Sequence, residues 1–239
     1  MEWFQPGHVA IVTGGSRGLG KALARGLLGK GLTVIVDGRD PVELERARHE
    51  LSEIGNVVAI AGDLADLDHV HALVAAAART GRLDLLVNNA SALGAVPLPR
   101  VVELGRETFR ALFDINVFAP IHLIQHALPY LHRAEVGTIV NVTSDAGVEA
   151  YPAWGGYGAT KAALEHVSRV LAAELDGTST RVLVFDPGDM NTDMHRSAAP
   201  DADPMELRDP GDSARALLVA IAAMKAGFER VRAADLISA

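Results

Sequence analysis

Tyr157 and Lys161 are the two residues whose types and spacing most directly suggest chemistry. Four positions apart, they share one face of any helix that carries them. A free phenol has a pKa near 10, too high for ready proton exchange at neutral pH. A neighbouring cation favours the phenolate and lowers that value. One screened surface lysine supplies too little. A partly desolvated pair with a second positive charge nearby supplies enough to make the phenol a working acid or base. Ser144, in the run IVNVTSDAG, stands where a strand should end. Its hydroxyl suits hydrogen bonding to a substrate oxygen on which charge develops, although serine in such a place also simply forms turns. Asn116, in DINVFAP, is a poor helix former inside a predicted helix, which marks a cap, a kink or a special role.

A second constellation lies near the start. Thr13-Gly14-Gly15-Ser16-Arg17-Gly18-Leu19-Gly20 follows an apolar run and opens an amphipathic one. Glycines there permit a tight turn and close approach of a pyrophosphate, and the helix that follows aims its leading amides at the phosphates. A lone glycine motif is weak, and a turn kept only for packing has the same letters. Its place between strand and helix, early in an alternating fold, points to a dinucleotide.

The elements that must position these groups are readable from periodicity. HVAIVT, LTVIVD, VVAIAG, LDLLVNN, GTIVNVT and RVLVFDP read as buried strands. Helices are expected over about 17–30, 41–54, 66–79, 103–132, 157–175 and 211–226. Such alternation implies an α/β fold, a doubly wound parallel sheet of Rossmann type with helices on both faces. No linker divides residues 1–239, so one dinucleotide-binding catalytic domain is expected. The Asp- and Pro-rich segment of about 189–210 is expected to be a loop that closes over the substrate as a lid.

Taken in order, these motifs resemble the short-chain dehydrogenase/reductase family of the classical type. TGGSRGLG matches its TGxxxGxG; Asp63-Leu64, Asn88-Asn89-Ala90, Asn116, Ser144, the YxxxK of Tyr157 and Lys161, and Pro187-Gly188 follow in the family's order across about residues 8–192. The resemblance implies Tyr157 as general acid/base, Lys161 as its cation and cofactor contact, and Ser144 as the polarising hydroxyl. It also implies that Asn116 holds a water linking Lys161 to solvent. Gly14, Ser16, Arg17, Gly18, Leu19, Gly20, Arg39, Asp63, Leu64, Asn89, Ala90, Tyr157, Lys161, Pro187, Gly188, Met190 and Thr192 are the implied cofactor contacts. Two features depart from the family. Ser91 stands where NNAG has glycine, and GFERVRAADLISA replaces the usual glycine-rich ending, which puts the last strand in question.

The second strand ends Val36-Asp37-Gly38-Arg39. An acid at the selecting position accepts from the ribose hydroxyls of NAD(H), whereas arginine grips the 2′-phosphate of NADP(H). The resemblance aligns that position with Gly38, and Arg39 and Arg17 are cations of the phosphate-binding kind. NADP(H) is therefore expected over NAD(H), unless a register shift of one makes Asp37 the ribose acid.

The 239 residues carry a net charge of −8 and no cysteine. This argues against nucleic acid as a partner and removes disulfides and thiolate chemistry. No run approaches a membrane span and the start lacks a basic lead, so the expectation is a cytoplasmic protein without a membrane partner. His122 and His126 share a helix face but have no evident third ligand, so no metal is expected. By resemblance the long helices of about 107–132 and 157–175 pair two subunits, giving a homodimer or homotetramer that acts on a small carbonyl or alcohol. The competing readings are a non-catalytic dinucleotide-binding sensor or scaffold, and an epimerase or dehydratase, which usually needs a larger C-terminal domain. Tyr151 and Trp154 are candidates for one wall of a substrate pocket.

Overall fold

The computed structural model describes residues 3–237. Seven parallel strands form one sheet: β1 (Val9–Val12), β2 (Thr33–Gly38), β3 (Val57–Ala61), β4 (Leu85–Asn88), β5 (Gly137–Val142), β6 (Thr180–Asp186) and β7 (Phe228–Arg232), in the order β3-β2-β1-β4-β5-β6-β7. This is the doubly wound fold that the alternation implies. The order reverses between β1 and β4, so a crevice opens there at the strands' carboxyl ends.

The pleat sends alternate residues to opposite layers. Ala10, Val12, Val34 and Val36 pack against α1 (Gly18–Leu28), α2 (Pro41–Ser52) and α8 (Pro210–Ala223). Val9, Ile11 and Ile35 pack against α3 (Leu67–Thr80), α5 (Ala119–Leu131) and α6 (Gly155–Glu174). Asp40, Asp66 and Asp209 cap α2, α3 and α8 by accepting backbone N–H groups. The first turn of α1 has no side-chain cap and no acid.

The expected single helix over 103–132 is divided. A 3₁₀ turn (Val101–Glu103) precedes α4 (Arg106–Phe113), which joins α5 through a π-turn, Asp114–Phe118, that contains Asn116. One expectation needs correction: by length and composition the continuous stretch Arg106–Leu131, through an apolar window within it, does reach the measure of a membrane span. Its buried residues, among them Leu123, Ile124 and Ala127, belong to the layer on the sheet.

The C-terminal segment, despite its unusual sequence, supplies β7 as a sixth parallel pairing, Val182↔Phe228 to Asp186↔Arg232. A short α9 (Ala233–Ile237) follows. The loop expected at 189–210 contains α7 (Asp193–Ala198) and is pinned by a parallel bridge between Met190 and Arg208.

Candidate active site

A cleft of about 740 Å3 lies along the crevice, within the size range of ligand sites. Of the residues expected to bind cofactor, Gly14, Ser16, Arg17, Gly18, Leu19, Arg39, Asp63, Leu64, Asn89, Ala90, Tyr157, Lys161, Pro187, Met190 and Thr192 line it. Gly20, Gly188, Asn116 and Ser144 stand outside that lining.

The glycine turn is a cradle that side chains would fill. Gly14 has φ +67°, a left-handed backbone that favours glycine. A Cβ on Gly20 would stand 2.2 Å from Gly14 O, so the turn and α1 approach too closely for alanine. Asn89 locks the turn to the end of β4: its Nδ2 donates to Thr13 O (2.7 Å), and its N–H donates to Thr13 Oγ1 (3.0 Å). The uncapped α1 start and the close backbone of the glycine turn fit a pyrophosphate.

Asp37 is not a free ribose acid. Following the pleat of Ile35, its side chain enters the α3 layer. There Oδ1 accepts from Gly14 N (2.6 Å) and Oδ2 meets His69 Nε2 (3.0 Å), with only 2% of the residue exposed. Gly38 faces the other way, where a Cβ would lie 3.2 Å from Ser16. Arg39 is exposed at the rim, and among the described residues no carboxylate pairs with it. Neighbouring Asp40 is occupied at the α2 cap. Arg17 is less free: its Nη1 lies 3.2 Å from Asp193 of α7 and 3.9 Å from Glu43.

At the other end, α6 presents Tyr157 and Lys161, both buried. Lys161 Nζ donates to Val142 O (2.9 Å) and lies 5.4 Å from the Tyr157 ring centre. Burial depresses the lysine to about 8. Burial also pushes the Tyr157 phenol up to about 12, and Asp186 and Asp145 add to this while a hydrogen bond with Ser91 opposes it. The lowered phenol pKa expected from a desolvated Tyr-Lys pair with a second positive charge nearby is not reached by the protein alone, where burial raises the phenol.

Ser144 caps a 3₁₀ turn. Its Oγ accepts from Ala146 N (3.2 Å) and donates to Asp145 Oδ1 (3.0 Å), while Asp145 Oδ2 accepts from Tyr151 Oη (2.9 Å). Asn116 uses its whole amide. Oδ1 accepts from Ala92 N (2.8 Å) and Ser91 Oγ (3.1 Å), and Nδ2 donates to Ala92 O (2.9 Å) and Thr160 Oγ1 (3.0 Å). Its side chain thus ties the β4 loop to α6.

Three residues outside the sequence expectation matter. Ser91 lines the cleft beside Tyr157. Glu165, one helical turn after Lys161 and buried, accepts from Thr143 Oγ1 (2.8 Å), and both its oxygens lie 3.1 Å from Arg230 Nε on β7. The i+4 spacing from Lys161 was a usable signal for Glu165; nothing in the sequence pairs it with Arg230. Among the described residues no group of three metal-ligating side chains occurs. His126 pairs with His71 of α3 at 3.2 Å.

A nucleotide-sized crevice, a glycine cradle and a buried Tyr-Lys pair on the next layer define a dinucleotide-dependent oxidoreductase. The family model for short chain dehydrogenases matches residues 8–203. The chain is 35% identical over 206 residues to the rhamnolipids biosynthesis 3-oxoacyl-[acyl-carrier-protein] reductase of Pseudomonas aeruginosa, covering 84% of this chain and 79% of that one. Among solved structures, one described as a short chain dehydrogenase from Pseudomonas syringae superposes with TM-score 0.89 at 30% identity, over 98% of this chain and 97% of that one. Another so described, from Shigella flexneri and complexed with NADP, gives 0.88 at 28% identity, over 98% and 100%. The chain belongs to the short-chain dehydrogenase/reductase family, the NAD(P)-dependent oxidoreductases of this fold.

Proposed function

We propose that the protein interconverts a small carbonyl compound and its alcohol using NADP(H) in preference to NAD(H), with Tyr157 as the general acid and base. The observation that carries this is the buried Tyr157–Lys161 pair lining the same cleft as the glycine cradle. When bound, the nicotinamide supplies or takes up the hydride. The turn Gly14–Gly20 would hold the pyrophosphate, and Asn89, Ala90 and Lys161 the ribose of the reactive half. Pro187, Gly188, Met190 and Thr192 would bound that half, and Asp63 and Leu64 the adenine.

In reduction, the Tyr157 O–H gives its proton to the substrate oxygen as charge develops there; in oxidation, the phenolate takes it back. Burial keeps the phenol neutral and water out, so it is held in the acid form. Lys161, anchored on Val142 O, sets a positive charge beside the phenolate as it forms. Asn116 acts by fixing the loop 91–92 against α6. Ser144 can serve the substrate oxygen by turning its hydrogen away from Asp145.

The NADP(H) preference rests on Asp37 being committed to Gly14 and His69, on Gly38 facing the glycine turn, and on Arg39 standing at the rim with no carboxylate paired to it among the described residues. The NADP complex of the Shigella flexneri structure agrees with it. Residues 189–210 act as a lid whose contact with the cofactor end is the Arg17–Asp193 pair. The exposed Phe118 and Val170, beside and on the two long helices, favour pairing of subunits through them.

The test is NADPH oxidation by the wild type and by Tyr157→Phe against a panel of aldehydes, ketones and quinones. The variant should lose turnover by three orders of magnitude or more, roughly, while binding NADPH with nearly unchanged affinity by fluorescence. A wild type that binds NADPH but reduces no panel member, or a variant at full rate, would overturn the assignment in favour of a cofactor-binding scaffold.

A further inference from the structure

The end of β2 brings two neighbours to the cleft in opposite ways: Gly38 offers no side chain, while Asp37 lines the opening with its carboxylate turned inward. Residue 37 braces the glycine turn. Its carbonyl accepts from Gly15 N (2.9 Å) and its Oδ1 from Gly14 N (2.6 Å). Oδ2 points to a different partner. It meets Nε2 of His69, in the first turn of α3, at 3.0 Å, and both residues are buried. A carboxylate has no hydrogen to give, so Nε2 carries one and donates it.

The imidazole in turn is fixed by what it stands on. A Cβ on Gly62 would lie 2.2 Å from His69 Nδ1, so the ring fills the space that a side chain at 62 would take. Gly62 lines the cleft beside Asp63 and Leu64. One side chain thus connects the glycine turn, through Asp37, to the segment expected to face the adenine.

A buried charged oxygen left without a donor is costly. The two cofactors differ in what they offer such an oxygen. The free ribose hydroxyl of NAD(H) is a donor; the 2′-phosphate of NADP(H) is an acceptor and an anion. While His69 fills Oδ2, the acid needs nothing from the cofactor. Without that donor it would gain from NAD(H) and repel NADP(H), and discrimination by repulsion would run the wrong way.

We propose that His69 is a positioning residue for cofactor choice: its Nε2–H holds the Asp37 carboxylate under the glycine turn, off the ribose, and so admits a 2′-phosphate beside Arg39. The inference deepens the NADP(H) reading above and rests on it.

The experiment titrates NADPH and NADH into the wild type, His69→Gln and His69→Asn and reads the fluorescence of each cofactor. The Gln amide nitrogen stands as many bonds from Cα as histidine Nε2, so it keeps the donor to Asp37; the Asn nitrogen matches Nδ1 and falls short of Asp37. His69→Asn should weaken NADPH about tenfold, with NADP+ weakened alike by competition, while NADH stays within about twofold of wild type. His69→Gln should bind both cofactors like the wild type. Adding Asp37→Asn to His69→Asn removes the repelling charge and should restore the NADPH preference. That double variant leaves no buried carboxylate stranded, so it carries the same comparison where the single variant does not fold. Unchanged NADPH affinity in His69→Asn, equal losses for both cofactors, a Gln variant as weak as Asn, or a double variant that does not regain the preference would overturn the proposal and leave NADP(H) choice to Arg39. A wild type that binds NADH in preference to NADPH would instead remove the NADP(H) reading, and this inference with it.

Discussion

The two ends of the cleft manage charge in opposite ways. At the glycine-turn end Arg17 and Arg39, two of several ionisable side chains that line the opening, are exposed, and the buried acid Asp37 is spent on bracing the turn. At the Tyr157 end the reactive groups are buried, and burial moves the lysine to about 8 and the phenol to about 12. Binding of a large polyanionic cofactor is served by backbone amides and screened cations, each worth little alone. Proton transfer needs a few desolvated groups whose charge is expensive and therefore responsive.

The sharpest break of this comparison is Lys161→Met. Turnover should fall by about two to four orders of magnitude, yet the folded protein should gain stability. A depression from 10.5 to about 8 corresponds to about 3 kcal/mol against the charged form. Native Lys161 thus weakens the fold fully below pH 8; the deficit fades as pH rises to 10.5, where the unfolded lysine also loses its proton. After allowing for the lost bond to Val142 O, Tm at pH 7 should rise by about 5 °C, and the gap from wild type should close toward pH 10. An unchanged or lower Tm by calorimetry would show that the charge is not costly there. In the wild type, kcat/KM for carbonyl reduction should fall above about pH 8 as this lysine deprotonates.

Asp37→Ala tests whether the buried acid at the opposite end is structural. Removing it strands Gly14 N–H and His69, at a cost of about 3 kcal/mol, which should lower Tm by roughly 5–10 °C. A variant with wild-type Tm and selectively weakened NADH binding would mean that Asp37 serves the ribose instead.

The smallest effect is expected at the exposed rim. Arg39→Ala should reduce the NADPH-to-NADH ratio of kcat/KM about tenfold, with the loss shrinking at high salt because the contact is screened. Arg17→Ala should change that ratio less, since Asp193 and Glu43 already share its guanidinium. An NADH preference in the wild type, or an unaltered ratio in Arg39→Ala, would remove the rim from cofactor choice.

Much of this was already present in the order of residue types. Six strands follow from short apolar runs rich in Val and Ile, the glycine turn from its residue types between strand and helix, and the Tyr157–Lys161 pair from its spacing of four; all are local and survive without knowledge of partners. Even β7 is a short β-branched and aromatic run, Phe228 to Arg232, obscured by its three charged members. What those charges do was decided only by tertiary structure: Arg230 meets Glu165 across 65 positions, so a segment whose sequence put the last strand in question closes the sheet behind the helix that carries Tyr157 and Lys161. The same holds for Asp37, whose role depends on which face of β2 it occupies and on His69 standing 32 residues away. It holds for Ser91, a small departure in a loop until the fold brings its hydroxyl to Asn116. Local patterns specify elements because backbone geometry has a short period. Hydrogen-bond partners and desolvation depend on distances through space, and only the packed chain sets those.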